Sequence, residues 1–170
     1  ITQAELSILL WATQGVQRVM DDYVTIRTVP SAGARHPFET YLLARNVEGM
    51  DGGVYRYLAL SHRLEFLFAV DDLADKLTAA TLGQRFVGAA PVTFVWACVA
   101  YRGEWRYGPE AHKVMLLDAG HIGQNLYLAA EGLGLGCCAV AAYDQRACDA
   151  LLRLDGQEEF SVYLAPVGRV

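Results

Sequence analysis

Charge is scarce in this chain of 170 residues: 19% of positions are charged against 54% hydrophobic, and the net charge is −5 with four histidines. No run of lysine or arginine reaches three residues. The sequence therefore lacks the electrostatic footprint of a nucleic-acid-binding protein. Long apolar runs are missing as well. The longest, Val92 to Tyr101, contains Thr93 and falls short of the roughly 18 residues that a spanning helix needs. No signal peptide is visible, and the chain begins at Ile1 rather than at a methionine.

Several chemical signatures are missing too. There is no C-x-x-C pair, no H-E-x-x-H and no His/Cys cluster, which disfavours zinc. G-x-S-x-G is absent, and no basic residue adjoins Cys137 or Cys138, so hydrolytic chemistry has little support. The adjacent Cys137 and Cys138 cannot close a relaxed disulfide. Together with Cys98 and Cys148 they read as reduced thiols of a cytoplasmic protein, a vicinal redox pair being the lesser alternative.

What is present points to one domain. Thr2 and Glu5 have capping-box spacing, and Leu6, Leu9, Leu10 and Thr13 then share a helical face that Gly15 ends. Phe38 to Ala44 reads as a strand, Val54 to Leu60 and Arg63 to Val70 as a hairpin, and Asp72 to Leu82 as a helix. Pro91 introduces a strand from Val92 to Tyr101, and Gly103 to Pro109 reads as a polar, aromatic-bearing loop. Glu110 to Glu131 is the longest helix. Its apolar residues fall on more than one face, with Val114, Leu117, His121 and Leu128 on one side and Met115, Ile122, Leu126 and Ala129 on another. That spread implies burial on several sides, against a sheet and against a second copy of the chain. Cys137 to Tyr143 reads as extended, Asp144 caps a short helix to Leu152, and Phe160 to Pro166 closes as a strand. The order is a mixed α+β pattern without strict βαβ alternation.

Two constellations need weighing. Gly132-Leu133-Gly134-Leu135-Gly136 has the glycines of a dinucleotide loop, but they follow a helix and enter a strand, which makes them a helix stop and turn. Asp118 and His121 are three apart on the long helix and share a face. They read as an acid–base pair or, preferably, as a buried histidine satisfied by a carboxylate.

The informative segment is Arg27-Thr28-Val29-Pro30-Ser31-Ala32-Gly33-Ala34-Arg35-His36-Pro37. Its small side chains let a flat ring approach exposed backbone amides, and either flanking arginine could meet a phosphate. Pro30 to Pro37 resembles the flavin loop of the nitroreductase family, in the form used by its azoline-oxidising dehydrogenase branch. Leu6 to Val16 resembles that branch's first helix, Asp118 to Val140 its long helix and following strand, and Leu164 to Arg169 its closing segment.

The resemblance implies a mixed sheet flanked by helices, with a long central helix, in an intertwined homodimer carrying FMN at its interface. It implies a ping-pong cycle in which NAD(P)H reduces the flavin and a small conjugated or nitroaromatic acceptor reoxidises it, with no catalytic side chain required. Carried over by position, Pro30, Ser31, Ala32 and Gly33 contact the flavin. Ala139, Val140, Ala141 and Ala142 run past its ring edge, with the Ala141 N–H near N5, and Arg169 completes the cofactor-binding set. Two departures stand out. The family's Arg-Arg-Ser-type phosphate-gripping segment has no counterpart, so residues 1–170 are expected to be one domain without its N-terminal piece. Azoline-oxidising members carry Lys-Tyr where this chain has Arg106-Tyr107, and arginine does not release its proton as lysine does. The rival expectation is a flavin-fold protein that holds a ligand, or serves structurally, without turnover.

Overall fold

The fold is taken from a computed structural model, which describes residues 1–21 and 23–169. Its elements run α1 (Gln3–Gln14), β1 (Val16–Met20), β2 (Val24–Arg27), β3 (Phe38–Ala44), β4 (Gly53–Leu58), β5 (Arg63–Phe68), α2 (Leu73–Ala80) and α3 (Arg85–Ala89). They continue with β6 (Val92–Val99), α4 (Tyr101–Tyr107), α5 (Ala111–Gly132), β7 (Gly136–Cys137), α6 (Gln145–Leu152) and β8 (Glu159–Gly168). The main sheet has the order β5-β4-β3-β6-β8-β7, and β1 and β2 form a separate hairpin.

The mixed α+β architecture with a long central helix is the one the sequence implies. Sheet direction is a correction: every described pairing in the main sheet is antiparallel, not mixed. The physical reason lies in the connections. Hairpin-length links join β3 to β4 and β4 to β5, and the helical excursions return their strands beside, and against, the direction of β6.

Alternation in β3 and β6 divides the interior in two. Phe38 and Leu42, with Phe94 and Trp96, face the layer made by α1 and α5. Tyr41 and Leu43, with Val95 and Ala97, face α2, α3 and α6. β6 is thus buried on both faces, which is why its sequence is a near-continuous apolar run rather than an alternating one.

Each local signal has a visible cause. At the start of α1 the Thr2 hydroxyl accepts from the Glu5 N–H at 3.1 Å, and the Glu5 carboxylate accepts from the Thr2 N–H at 2.8 Å. Asp144 caps α6 by accepting from the Ala147 N–H at 3.1 Å. Where a loop was expected at Gly103 to Pro109, α4 runs to Tyr107 and a 3₁₀ turn follows. Gly103 is no turn residue there. It is buried, and a Cβ on it would lie 2.9 Å from Met115 Sδ, so glycine lets α4 pack closely on α5. The extended stretch expected from Cys137 to Tyr143 reduces to β7 and a single bridge between Val140 and Leu164. No helix among the described residues is long and apolar enough to cross a membrane.

Leu126, on α5, is wholly buried in the larger core. Leu126→Ala is expected to cost about 2–5 kcal/mol of unfolding free energy, through lost transfer energy and a residual cavity. Urea denaturation checks it; a loss below ~1 kcal/mol would show that α5 is not the centre of the core.

Candidate functional site

Asp118 organises the Pro30–Pro37 segment. It is 4% exposed on the sheet-facing side of α5. One carboxylate oxygen accepts from Ser31 Oγ at 2.6 Å, and the other accepts from the Ala32 N–H at 3.0 Å. Ser31 Oγ in turn accepts from the His36 N–H at 2.9 Å. The helical pair expected between Asp118 and His121 does not form: His121 points to solvent, and the loop takes the carboxylate instead.

Within the loop, a 3₁₀ turn over Ala32–Ala34 carries Gly33 at φ +56°. Ala34 and His36 are also left-handed, at φ 52° and 45°. A Cβ on Gly33 would lie 2.6 Å from Tyr107 Oη, so α4 roofs this glycine. Gly33 and Pro30 are exposed, while Ser31 and Ala32 are half-buried. Arg35 lays its guanidinium 4.6 Å from the centre of the Trp105 ring, and Arg106 is exposed.

His36 is buried beneath the loop, and its Nε2–H donates to the Thr25 carbonyl at 3.1 Å. Burial first, then the nearby charges of Arg27, Arg102 and Arg35, push its pKa down to about 4. The imidazole is therefore neutral near pH 7, which matches its donation to a carbonyl.

The second set of expected residues lies elsewhere along α5. The Ala139 N–H donates to Tyr127 Oη at 2.8 Å, and the Val140 N–H donates to the Leu164 carbonyl at 2.7 Å. Ala141 is exposed, and its N–H has no hydrogen-bond partner among the described residues. The next peptide is fixed from the other side, because Gln84 Nε2 donates to the Ala142 carbonyl at 2.7 Å and to the Thr81 carbonyl at 2.9 Å. Arg169 lies beyond β8 beside a cavity of about 430 Å³ shared with Phe86, Cys137 and Cys138. Its guanidinium pairs with Glu5 at 2.8 Å, yet the side chain remains largely exposed.

The structure thus groups Pro30, Ser31, Ala32 and Gly33 at the Asp118 end of α5, and Ala139, Val140, Ala141, Ala142 and Arg169 beyond its other end. Asp118 and Tyr127, which hold the two segments, are about 14 Å apart along the helix axis at a 1.5 Å rise per residue. Sequence reasoning missed Asp118 as the anchor and Gln84 as a brace. The first could have been sought as a carboxylate opposite a serine-bearing loop; the second has no sequence signal.

Comparison with known proteins follows this geometry. The family model described as Nitroreductase family matches residues 1–169. The nitroreductase-type protein MJ1384 of Methanocaldococcus jannaschii is 34% identical over 169 residues, covering 99% of this chain and 81% of its own. The trifolitoxin-processing protein TfxB of Rhizobium leguminosarum bv. trifolii is 32% identical over 133 residues, covering 76% of this chain and 36% of its own. A crystal structure described as a nitroreductase from Anabaena variabilis superposes with a TM-score of 0.90 at 26% identity, over 96% of this chain. The chain spans 34% of that protein's length.

The depressed His36 pKa carries a sign. An unfolded histidine titrates near 6.5 and the folded one near 4, so the unfolded state binds more protons between those values. His36 therefore contributes stability in full above about pH 6.5, and that contribution is lost as pH falls toward 4. His36→Asn keeps a residue tolerant of the left-handed backbone. Between pH 7 and pH 5 the parent should lose on the order of 1 kcal/mol more than the variant, read from urea midpoints. Parallel losses in both proteins would contradict a buried, neutral His36.

Proposed function

The chain belongs to the nitroreductase family, and from that premise we propose that it is an FMN-dependent oxidoreductase working as a homodimer, reduced by NAD(P)H and reoxidised by a small conjugated or nitroaromatic acceptor. The observation that carries the proposal is the Ala139–Ala142 segment. Its neighbouring peptides are pinned by Tyr127, Leu164 and Gln84, while the Ala141 N–H is left exposed and unpartnered among the described residues. A backbone donor held this way suits the edge of a planar ring that accepts hydride, because it is aligned beforehand and needs no side chain to move.

The residues present fit FMN in three respects. Gly33 offers backbone without a side chain at a left-handed turn, Ala139 to Ala142 offer methyl groups only, and Arg169 is an exposed cation that can leave Glu5 for a phosphate. When bound, FMN supplies the hydride and electron transfer, and the protein supplies orientation and exclusion of water. In this reading the Ala32–Gly33 turn, set by Asp118, limits how closely the ring lies against the main chain. Tyr107 Oη, above Gly33, is the group that must give way or contact the ring.

The two ends of α5 support the homodimer reading. Leu117 and Leu128 are 56% and 65% exposed, and Leu116 and Tyr127 are exposed beside them. Each pair is eleven residues apart, three helical turns, so both lie on one outward face. They are also symmetric about the middle of α5. A twofold axis near Ile122 would set Leu117 of one copy against Leu128 of the other. The same operation brings the Asp118 end of one helix beside the Tyr127 end of the next, joining the loop of one copy to the Ala139–Ala142 segment of its partner.

The purified protein is expected to be yellow and to oxidise NAD(P)H with a nitroaromatic or quinone acceptor. Ala141→Ser should leave flavin reduction nearly intact, because the donor is backbone. Ala141→Pro removes that N–H and should slow flavin reduction at least tenfold with the fold preserved by circular dichroism. A folded proline variant reduced at the parental rate would refute the Ala141 contact. A folded, colourless protein would favour the rival reading of a ligand-holding or structural member.

Sedimentation at micromolar concentration should show a dimer. Leu117→Glu with Leu128→Glu should shift it to monomer and release the flavin together, since each site is shared between copies. A monomeric parent, or a monomeric variant that keeps its flavin, would overturn the shared-site arrangement.

A further inference from the structure

Gln3, Leu6, Ser7 and Leu10 fall at helical spacing on one flank of α1, and the β4–β5 hairpin lies opposite them. Between the two is a cavity of about 280 Å³, walled with carbon by Leu6, Leu10, Met50 and Leu64. Gln3 Nε2 donates to the Gly49 carbonyl at 2.9 Å, which ties α1 to the β3–β4 link that carries Met50. Ser7, His62 and Arg63 line the same cavity.

Leu58 pairs with Arg63 where the hairpin reverses, so His62 closes the turn 59–62. It sits at φ +50°, a left-handed conformation uncommon for any residue but glycine. The imidazole there lies between two hydroxyls. Ser7 Oγ is 2.8 Å from Nε2, and Tyr57 Oη is 2.7 Å from Nδ1. Tyr57 is buried on β4, and burial pushes its pKa up to about 12. It is therefore a neutral phenol near pH 7 and holds the ring by hydrogen bonding rather than by charge. A hydroxyl on a histidine whose other nitrogen is fixed by a third side chain is the arrangement of an activated nucleophile. Ser7 and His62 are 55 positions apart, so no local motif reveals the pair. Arg63 is exposed, forms no ion pair among the described residues, and adds a cation to the same cavity.

We propose that this cavity is an esterase site for uncharged esters of short-chain carboxylic acids, with Ser7 as nucleophile and His62 as its base. The ring proton is on Nδ1 and is donated to Tyr57 Oη, which leaves the Nε2 lone pair facing Ser7. Ser7 Oγ bonds to the ester carbonyl carbon as its proton passes to Nε2. The carbonyl electron pair moves onto oxygen, where Arg63 stabilises the charge. As that pair returns, the ester C–O bond breaks and the alcohol leaves with the proton from Nε2. Water then attacks the acyl-Ser7 ester, giving its proton to Nε2. Collapse releases the carboxylic acid, and Ser7 recovers its proton from Nε2. The carbon walls favour an uncharged acyl chain, and the volume limits it to a short one. The cavity shares no residue with the Pro30–Pro37 loop or the Ala139–Ala142 segment, and the site stands whether or not the chain holds a flavin.

Hydrolysis of p-nitrophenyl butyrate and labelling by an alkyl fluorophosphonate test the proposal. The purified protein should turn over the ester and take up one phosphonyl group per chain, located on Ser7 by peptide mass spectrometry. Ser7→Ala should abolish labelling and lower kcat/KM about a hundredfold or more. Alanine suits a helix, so that loss would not come from unfolding. His62→Asn keeps a residue tolerant of the left-handed backbone and should have the same effect. Tyr57→Phe frees the ring but keeps the cavity wall, so kcat should fall about tenfold with KM nearly unchanged. Labelling on another residue, esterase activity retained in Ser7→Ala, a Tyr57→Phe variant with parental kcat, or an unlabelled parent would each overturn the proposal. The last is the outcome if the ring proton sits on Nε2 instead.

Discussion

The carboxylate of Asp118 is the constraint on which the candidate site depends. It is buried on α5 with no cation paired to it among the described residues, and it is held by donors from the Ser31–Ala32 stretch alone. A buried anion is tolerated only when hydrogen bonds replace its water. The loop therefore cannot leave without exposing that cost, and its path is set from the helix rather than from its own sequence. The left-handed residues Gly33, Ala34 and His36 persist for the same reason. His36 is held three ways: its N–H by Ser31, its ring by Thr25 and its carbonyl by Arg102. Only an over-determined segment keeps alanine and histidine in that region of φ.

Much of the fold was legible because its signals are local. The Thr2–Glu5 box, the apolar face of α1, the strand at Phe38–Ala44 and the Asp144 cap each need only a few neighbouring residues to be read. The features that escaped depend on distant partners. β1 and β2 are exposed or half-buried along their length, so no alternation of burial marks them as strands. α4 looked like a loop because of Gly103, whose purpose is visible only once Met115 is seen against it. Strand direction also has no local code, and the mixed sheet expected from resemblance proved antiparallel.

The site was legible in composition but not in connectivity. Small residues at Pro30 to Gly33 and Ala139 to Ala142 are present in the sequence, and their methyls and bare backbone are what a planar ligand would need. Which carboxylate fixes the first segment could not be read. Asp118 and His121 have the spacing of a helical pair, yet a partner 87 residues away in sequence takes the aspartate. Spacing on a helix states which contacts are possible; burial decides which are made. Asp118 faces the sheet side and His121 faces solvent, so the competition was settled by the facing of α5.

That facing also explains why an apolar chain leaves so much leucine uncovered. α5 spends one side on the core through Met115, Ile122 and Leu126, and the opposite side carries Leu116, Leu117 and Leu128 in solvent. A helix apolar on two sides needs a second surface. Each of its ends holds half of the candidate site, so whatever covers the outer side also decides whether the halves meet. A copy related by a twofold axis satisfies both demands at once: it buries the leucines and turns the separation along α5 into proximity across the interface. A different partner could bury the leucines but would bring no second Ala139–Ala142 segment. In the proposed dimer the geometry of one helix would therefore tie self-association to ligand holding more tightly than either the loop or the sheet does.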